Sequence, residues 1–164
     1  MRHYGTVDFH AHPVTAAFRE SLSALGIDPI QDNGFPLPAW SAETHLDFMR
    51  EAGIAYAALS IPAPHVHNGD DKKSCEAARI INEELSEIVK SYSDSFTFTA
   101  VLPLPCVEGA VAETAYAMEE LGAVGVKAAT SSNGVYLGDK SLDPLMEELN
   151  RRNALALLNP GTEE

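Results

Sequence analysis

Val7-Asp8-Phe9-His10-Ala11-His12, followed at once by Pro13, is the stretch on which the fold turns. Its start is apolar and β-prone, and its end carries two imidazoles two residues apart, which extended backbone aims to one side. In an open doubly wound sheet the first strand runs into a glycine-rich phosphate loop. Here it runs into histidines, and neither G-x-G-x-x-G nor a Walker sequence follows. In a (β/α) barrel the C-terminal ends of the strands form the catalytic face, and two convergent imidazoles there make half of a divalent-metal site. The motif favours the barrel and marks His10 and His12 as candidate metal ligands.

Outward from this stretch, five short apolar runs alternate with amphipathic ones, the pattern of βα units on a parallel sheet. The runs are Tyr4 to Phe9, Ala55 to Ile61, Phe96 to Leu102, Val124 to Ala128 and Ala154 to Leu158. Between them, Ser41-Ala42-Glu43-Thr44 opens a helix with Leu46, Phe48 and Met49 as its apolar face and Gly53 as its stop. Lys72 to Tyr92 has Ala77, Ile80, Ile81, Leu85, Ile88 and Val89 at helical spacing, with Glu83, Glu84, Glu87 and Lys90 as the solvated face. Val107 to Leu121 and Leu142 to Arg152 repeat the pattern before Gly122 and Asn153. Residues 13–40 break it: a helical stretch from Thr15 to Leu25 precedes Asp28-Pro29, Asn33-Gly34 and Pro36-Leu37-Pro38, read as an insertion or lid loop. A whole barrel has eight strands over about 250 residues. Five strands in 164 residues predict an α/β partial barrel, one domain over 1–164.

The net charge of −13, from 24 acidic and 11 basic residues, opposes binding to nucleic acid or to anionic membrane surfaces. No apolar signal-peptide core follows Met1 and no run of about 18 apolar residues occurs, so the expectation is a soluble cytoplasmic protein. Cys75 and Cys106 form no Cys-x-x-Cys pattern and are expected to be buried or partly buried thiols.

Val7 to His12 resembles the strand-one metal motif of the amidohydrolase superfamily. Gly125-Val126-Lys127, Asn133-Gly134-Val135-Tyr136-Leu137-Gly138-Asp139 and Leu142-Asp143-Pro144-Leu145 resemble its amidohydrolase-2 branch. That branch includes aminocarboxymuconate-semialdehyde decarboxylase-like and dihydroxybenzoate decarboxylase-like enzymes. The resemblance runs from Val7 to Pro160. It implies a distorted barrel holding one divalent metal, zinc first and manganese second. It also implies nonoxidative decarboxylation or hydrolysis of a small aromatic or unsaturated carboxylate. In such enzymes the strand-one pair is joined by a histidine after strand five, a histidine after strand six and an aspartate after strand eight. Here the strand-five position reads Leu157-Leu158-Asn159-Pro160, so Asn159 stands where the third ligand is expected. Its neutral carbonyl is a weaker zinc ligand than imidazole.

Further candidates are His65 and His67, a second His-x-His after strand two, for substrate contact. Their alternative is a polar loop pair without a ligand role. Trp40 and Phe35 either wall a substrate pocket or anchor the loop to the core. Asn133 either contacts a carboxylate or simply makes a turn with Gly134. Lys127 occupies the strand-four place where binuclear amidohydrolases use a carbamylated lysine, a role unexpected in a mononuclear branch. His3 and His45 have no partner spacing, and Asp139 and Asp143 suit turn and helix-start roles. Unpaired barrel edges invite a second copy or a completing C-terminal chain. A metal-dependent lyase or hydrolase therefore competes with a non-catalytic truncated remnant or interaction subunit that keeps the half-barrel.

Overall fold

Residues 5–30 and 34–160 are described by a computed structural model. His3, Tyr4 and Asn33 lie outside them. The expected βα alternation is present. Strands β1 (Thr6–Ala11), β2 (Ile54–Leu59), β3 (Phe96–Val101), β4 (Gly125–Ala129) and β7 (Leu155–Asn159) form one sheet in the order β1-β2-β3-β4-β7. Every neighbouring pair is parallel. Two-residue strands β5 (Ser131–Ser132) and β6 (Val135–Tyr136) form a small hairpin after β4. Five parallel strands with their helices make a curled half-barrel.

The helices start and stop where the sequence provides caps. Thr15 caps α1 (Ala16–Leu25) by accepting from the Phe18 amide. Ser41 and Thr44 form a reciprocal capping box on α2 (Ala42–Ala52), and Gly53, at φ 70°, ends it in the left-handed region that glycine adopts without strain. Asp70 caps α3 (Asp71–Ser91), which runs into β3. Helices α4 (Val107–Glu119) and α5 (Asp143–Arg152) precede β4 and β7.

The core lies between sheet and helices. Phe18, Leu22, Leu59, Ile81, Leu85, Phe96 and Phe98 are fully enclosed, and each such side chain contributes about 1.5–3 kcal/mol of burial free energy. The central strands β3 and β4 are covered on both faces. The edge strands are not: Val7 and Phe9 on β1 and Leu158 on β7 are each about half exposed. The Ala17 amide donates to Glu84, Arg19 donates to the Leu37 and Pro38 carbonyls, and Leu37 is buried.

Three details of the helix faces differ from the periodicity. Phe48 is 57% exposed, because it stands two residues from Leu46 and thus off the Leu46–Met49 stripe. Ile80 is 52% exposed, since the buried stripe of α3 is centred on Ala78, Ile81 and Leu85. Glu84 is not simply solvated, because its carboxylate accepts the Ala17 amide at the start of α1.

Candidate metal centre and adjoining recesses

The site forms at the C-terminal ends of the strands. There the Ser60 amide donates to the Ala11 carbonyl, tying the end of β1 to the residue after β2. This brings His12 over Ser60, whose carbonyl lies 2.7 Å from His12 Nδ1. A carbonyl only accepts, so Nδ1 carries the hydrogen and Nε2 of the neutral ring has a lone pair to give. A backbone carbonyl orienting one ring nitrogen while the other faces a cation is the usual support of a metal-binding histidine. The His10 ring stands edge-on to that of His12, with centroids 4.5 Å apart. The His10 amide donates to Asp8 Oδ1, which fixes the turn of the strand between them.

The surroundings shift both rings toward the neutral form. Burial and the Lys127 charge hold His10 below its ordinary value, against the pull of Asp8. Burial also dominates at His12 and outweighs the Ser60 bond, while Lys127 and His10 lower it further. Neutral imidazole is the form that ligates metal. Two imidazoles of this kind fit half of a divalent site, and no group of three His, Cys, Asp or Glu side chains suited to a metal occurs among the described residues.

Asn159 closes β7. Its carbonyl accepts the Thr130 amide, and its side-chain Oδ1 is buried without a hydrogen-bond partner. An enclosed oxygen of that kind costs about 1–3 kcal/mol until a donor or cation meets it.

Asn133 is brought together with His65 and His67, which are far from it in sequence. With Ile27, Pro64, Leu104, Ser131 and Ser132 they line a recess of about 300 Å³. The two His67 ring nitrogens are engaged, Nε2 at 3.1 Å from Asp71 Oδ1 and Nδ1 accepting from the Gly69 amide. Asn133 also makes the turn, at φ 53°. Trp40 lies elsewhere: its indole N–H donates to His45 Nδ1, and the His45 ring packs edge-on against Phe96. The anchoring role is the one this geometry displays, and it makes His45 a satisfied residue. Phe35 is exposed.

Lys127, read in the sequence only as the strand-four lysine that binuclear relatives carbamylate, is a buried member of β4. It sits in the middle of β4, only 7% exposed, and its ammonium donates to the Ile61 carbonyl. A lysine inside an otherwise apolar Gly-Val-Lys-Ala-Ala strand was the available signal. Asp139 accepts the Ser141 amide, a turn role as expected. Cys75 and Cys106 are free thiols, partly buried, with sulfurs 4.0 Å apart.

A sequence profile of the amidohydrolase family matches residues 7–162. The chain belongs to the amidohydrolase family. It is 33% identical over 160 residues to decarboxylase yanB of Aspergillus niger, covering 94% of this chain and 43% of that protein. It is 32% identical over 158 residues to 6-methylsalicylic acid decarboxylase acuB of Aspergillus aculeatus, covering 94% of this chain and 47% of that protein. Among solved structures it resembles an amidohydrolase II at a TM-score of 0.87 and 32% identity, covering 95% of this chain and 50% of the other. It also shares its fold with dihydroxybenzoic acid decarboxylase from Polaromonas, solved with manganese and 2-nitroresorcinol, at a TM-score of 0.77 and 23% identity, covering 96% and 49% of the two chains. This member of the amidohydrolase family spans about half the length of the relatives it matches. No described helix is long and apolar enough to cross a membrane.

Proposed function

We propose that this chain supplies the first half of a metal-dependent, nonoxidative decarboxylase acting on a small aromatic carboxylate. The observation that carries the reading is the His10–His12 pair, edge-on at 4.5 Å between ring centroids, with His12 Nδ1 committed to the Ser60 carbonyl. The relatives support it: the named activities are decarboxylations, one of them of 6-methylsalicylic acid. His10 and His12 would hold the metal, and Asn159 Oδ1 is the described oxygen left in want of a cation or donor. When bound, a divalent ion supplies Lewis acidity toward the oxygens of a carboxylate or phenol. Manganese is the ion named for two fold neighbours, and zinc is the alternative suited to imidazole ligands. The chain's own residues orient the rings and, through the His65–His67–Asn133 recess, offer a wall to a flat ligand. Further βα units, from the same polypeptide or another, would cover Val7, Phe9 and Leu158 and supply the remaining ligands.

The competing reading, a non-catalytic remnant or interaction subunit, is favoured by asparagine at position 159 and by the want of a third His, Cys, Asp or Glu ligand among the described residues. Elemental analysis after manganese or zinc loading separates the two, comparing the native chain with His10→Ala/His12→Ala. About one ion per chain, lost in the double variant, supports the metal site. A chain that takes up neither ion returns the reading to the remnant.

A further inference from the structure

We propose that Cys75 and Cys106 form a modification site, a dithiol that a small cationic disulfide oxidises to a bridge between α3 and α4. Three observations lead to it. First, the two sulfurs, 31 positions apart in sequence, stand 4.0 Å from each other. A disulfide bond is about 2.05 Å long, so bonding asks for about 2 Å of approach, shared by two side chains that each turn about one bond. Gly109 leaves them the room: a Cβ there would lie 2.3 Å from Cys75 Sγ and 3.1 Å from Cys106 Sγ.

Second, a reagent can reach them. Both thiols are free and only partly buried, and they line a groove of about 590 Å³ between the two helices. A space of that size lies within the range of small-ligand pockets.

Third, the groove selects by charge. Asp71, Glu76, Glu108 and Glu113 line it against Lys72 and Arg79. Arg79 is committed to Glu113 at 2.9 Å, and Lys72 Nζ lies 4.0 Å from Glu76. Four carboxylates against two cations leave negative charge in excess, so a disulfide carrying ammonium groups is drawn in and one carrying carboxylates is repelled.

The exchange runs in two steps. Burial pushes the Cys75 thiol up to about 11, so the first attack falls to Cys106, which opens α4 without capping it. Its thiolate attacks one sulfur of the reagent and releases one aminothiol, leaving a mixed disulfide on Cys106. Cys75 then gives its proton to solvent, its sulfur attacks Cys106 Sγ, and the second aminothiol leaves. The two cysteines lose two electrons and two protons in all, and the reagent gains them. Cys75 lies in the first turns of α3, just past the segment that carries His65 and His67, and Cys106 lies two residues beyond Leu104. The bridge therefore ties together two segments that wall the 300 Å³ recess.

The test is oxidation of the reduced whole chain by cystamine and, separately, by oxidised glutathione, which carries net negative charge. Free thiols are then alkylated, and intact mass and peptide maps are recorded. The expected product has lost two hydrogens, takes no alkyl label, joins the Cys75 and Cys106 peptides within a single chain, and returns to the dithiol with dithiothreitol. Closing a 31-residue span should raise the melting midpoint by roughly 5–10 °C. Relative to the urea-unfolded chain, which has the same net charge, cystamine should outrun oxidised glutathione by about tenfold at low salt, and the advantage should shrink in about 1 M salt. Cys75→Ser should stop at the mixed disulfide on Cys106; the native chain answers alone if the serine variant fails to fold. A native chain that stays a dithiol, two separate cysteamine adducts without a bridge, a bridge between two chains, a bridge that leaves the midpoint unchanged or lower, or equal selectivity in the folded and unfolded chains would each overturn the proposal.

Discussion

His12 and Lys127 are anchored on successive carbonyls: the imidazole Nδ1 on Ser60 at 2.7 Å, the ammonium on Ile61. One side chain comes from the end of β1 and the other from β4, so two residues beyond β2 receive groups that are 115 positions apart in sequence. The arrangement converts the end of β2 into a template. It fixes the histidine tautomer and the lysine position together, and any shift of 60–61 moves both.

This coupling sets a pH dependence. His10 and His12 both lie below the ordinary imidazole value in the folded chain, chiefly through burial. Unfolding therefore takes up protons as the pH drops beneath about 6.5, and stability that is complete above that value declines as the solution is acidified toward the folded-state values. Thermal melts at about pH 7.5 and 5.5 should show the decline in the native chain. His10→Gln/His12→Gln should flatten it, leaving the contribution of His45, which burial also lowers. Equal slopes in the two chains would remove these rings as its source.

A second prediction concerns the polar bracket that holds α3 to the end of β3. Asn82 accepts the Val101 amide at 2.8 Å, donates to the Val101 carbonyl at 2.9 Å, and donates to Glu113 Oε1 at 2.8 Å. Arg79 completes the bracket on Glu113 Oε2 and lies over the Tyr116 ring. Asn82→Leu matches the size of the side chain but takes the side-chain partner from a buried amide, a carbonyl and one oxygen of the Glu113 carboxylate, a loss of about 3 kcal/mol or more. Urea denaturation of the two chains checks it, and a change under about 1 kcal/mol would mean water replaces the bracket.

The strands, their parallel order and the His10–His12 pair were legible because each is a local pattern: a β-rich run, a cap, a two-residue spacing. The recess was not, since His65 and Asn133 come from loops whose meeting depends on how β2 and β4 are spaced around the curl. Periodicity set the stripe of α3 but not its polar members. Asn82 reads as one more polar residue before Glu83 and Glu84, and only the neighbouring strand end makes it buried. Trp40 was readable as an aromatic anchor without a partner, and His45, five residues on, was hidden because its bond to the indole follows from the angle at which α2 begins.

Cys75 should be a sluggish nucleophile despite its neighbour. Burial, then Cys106, Asp71 and Glu113, push its thiol up to about 11. At pH 8 the reactive thiolate is then about 0.1% of the population, against roughly a quarter for an ordinary cysteine. Iodoacetamide labelling followed by peptide mapping should find Cys75 modified on the order of a hundred times more slowly in the folded than in the denatured chain. Comparable rates would show that the groove between α3 and α4 opens readily.

Gly125 tests whether the position expected for a third ligand depends on close strand contact. A Cβ built there meets the Leu155 carbonyl oxygen at 2.2 Å, and that oxygen belongs to backbone that cannot swing aside. The glycine thus lets β4 approach β7, and the same ladder pairs Ala129 with Asn159. Gly125→Ala should cost about 1–3 kcal/mol or more through overpacking, although alanine relieves glycine's backbone entropy. Because the displaced strand carries Asn159, the variant should also bind manganese more weakly than the native chain while His10 and His12 keep their ring contact, observable as unchanged imidazole resonances in the metal-free protein. Weakened metal binding with those resonances intact would place part of the metal's support on β7. Unchanged binding in a destabilised variant would assign the affinity to the strand-one pair alone.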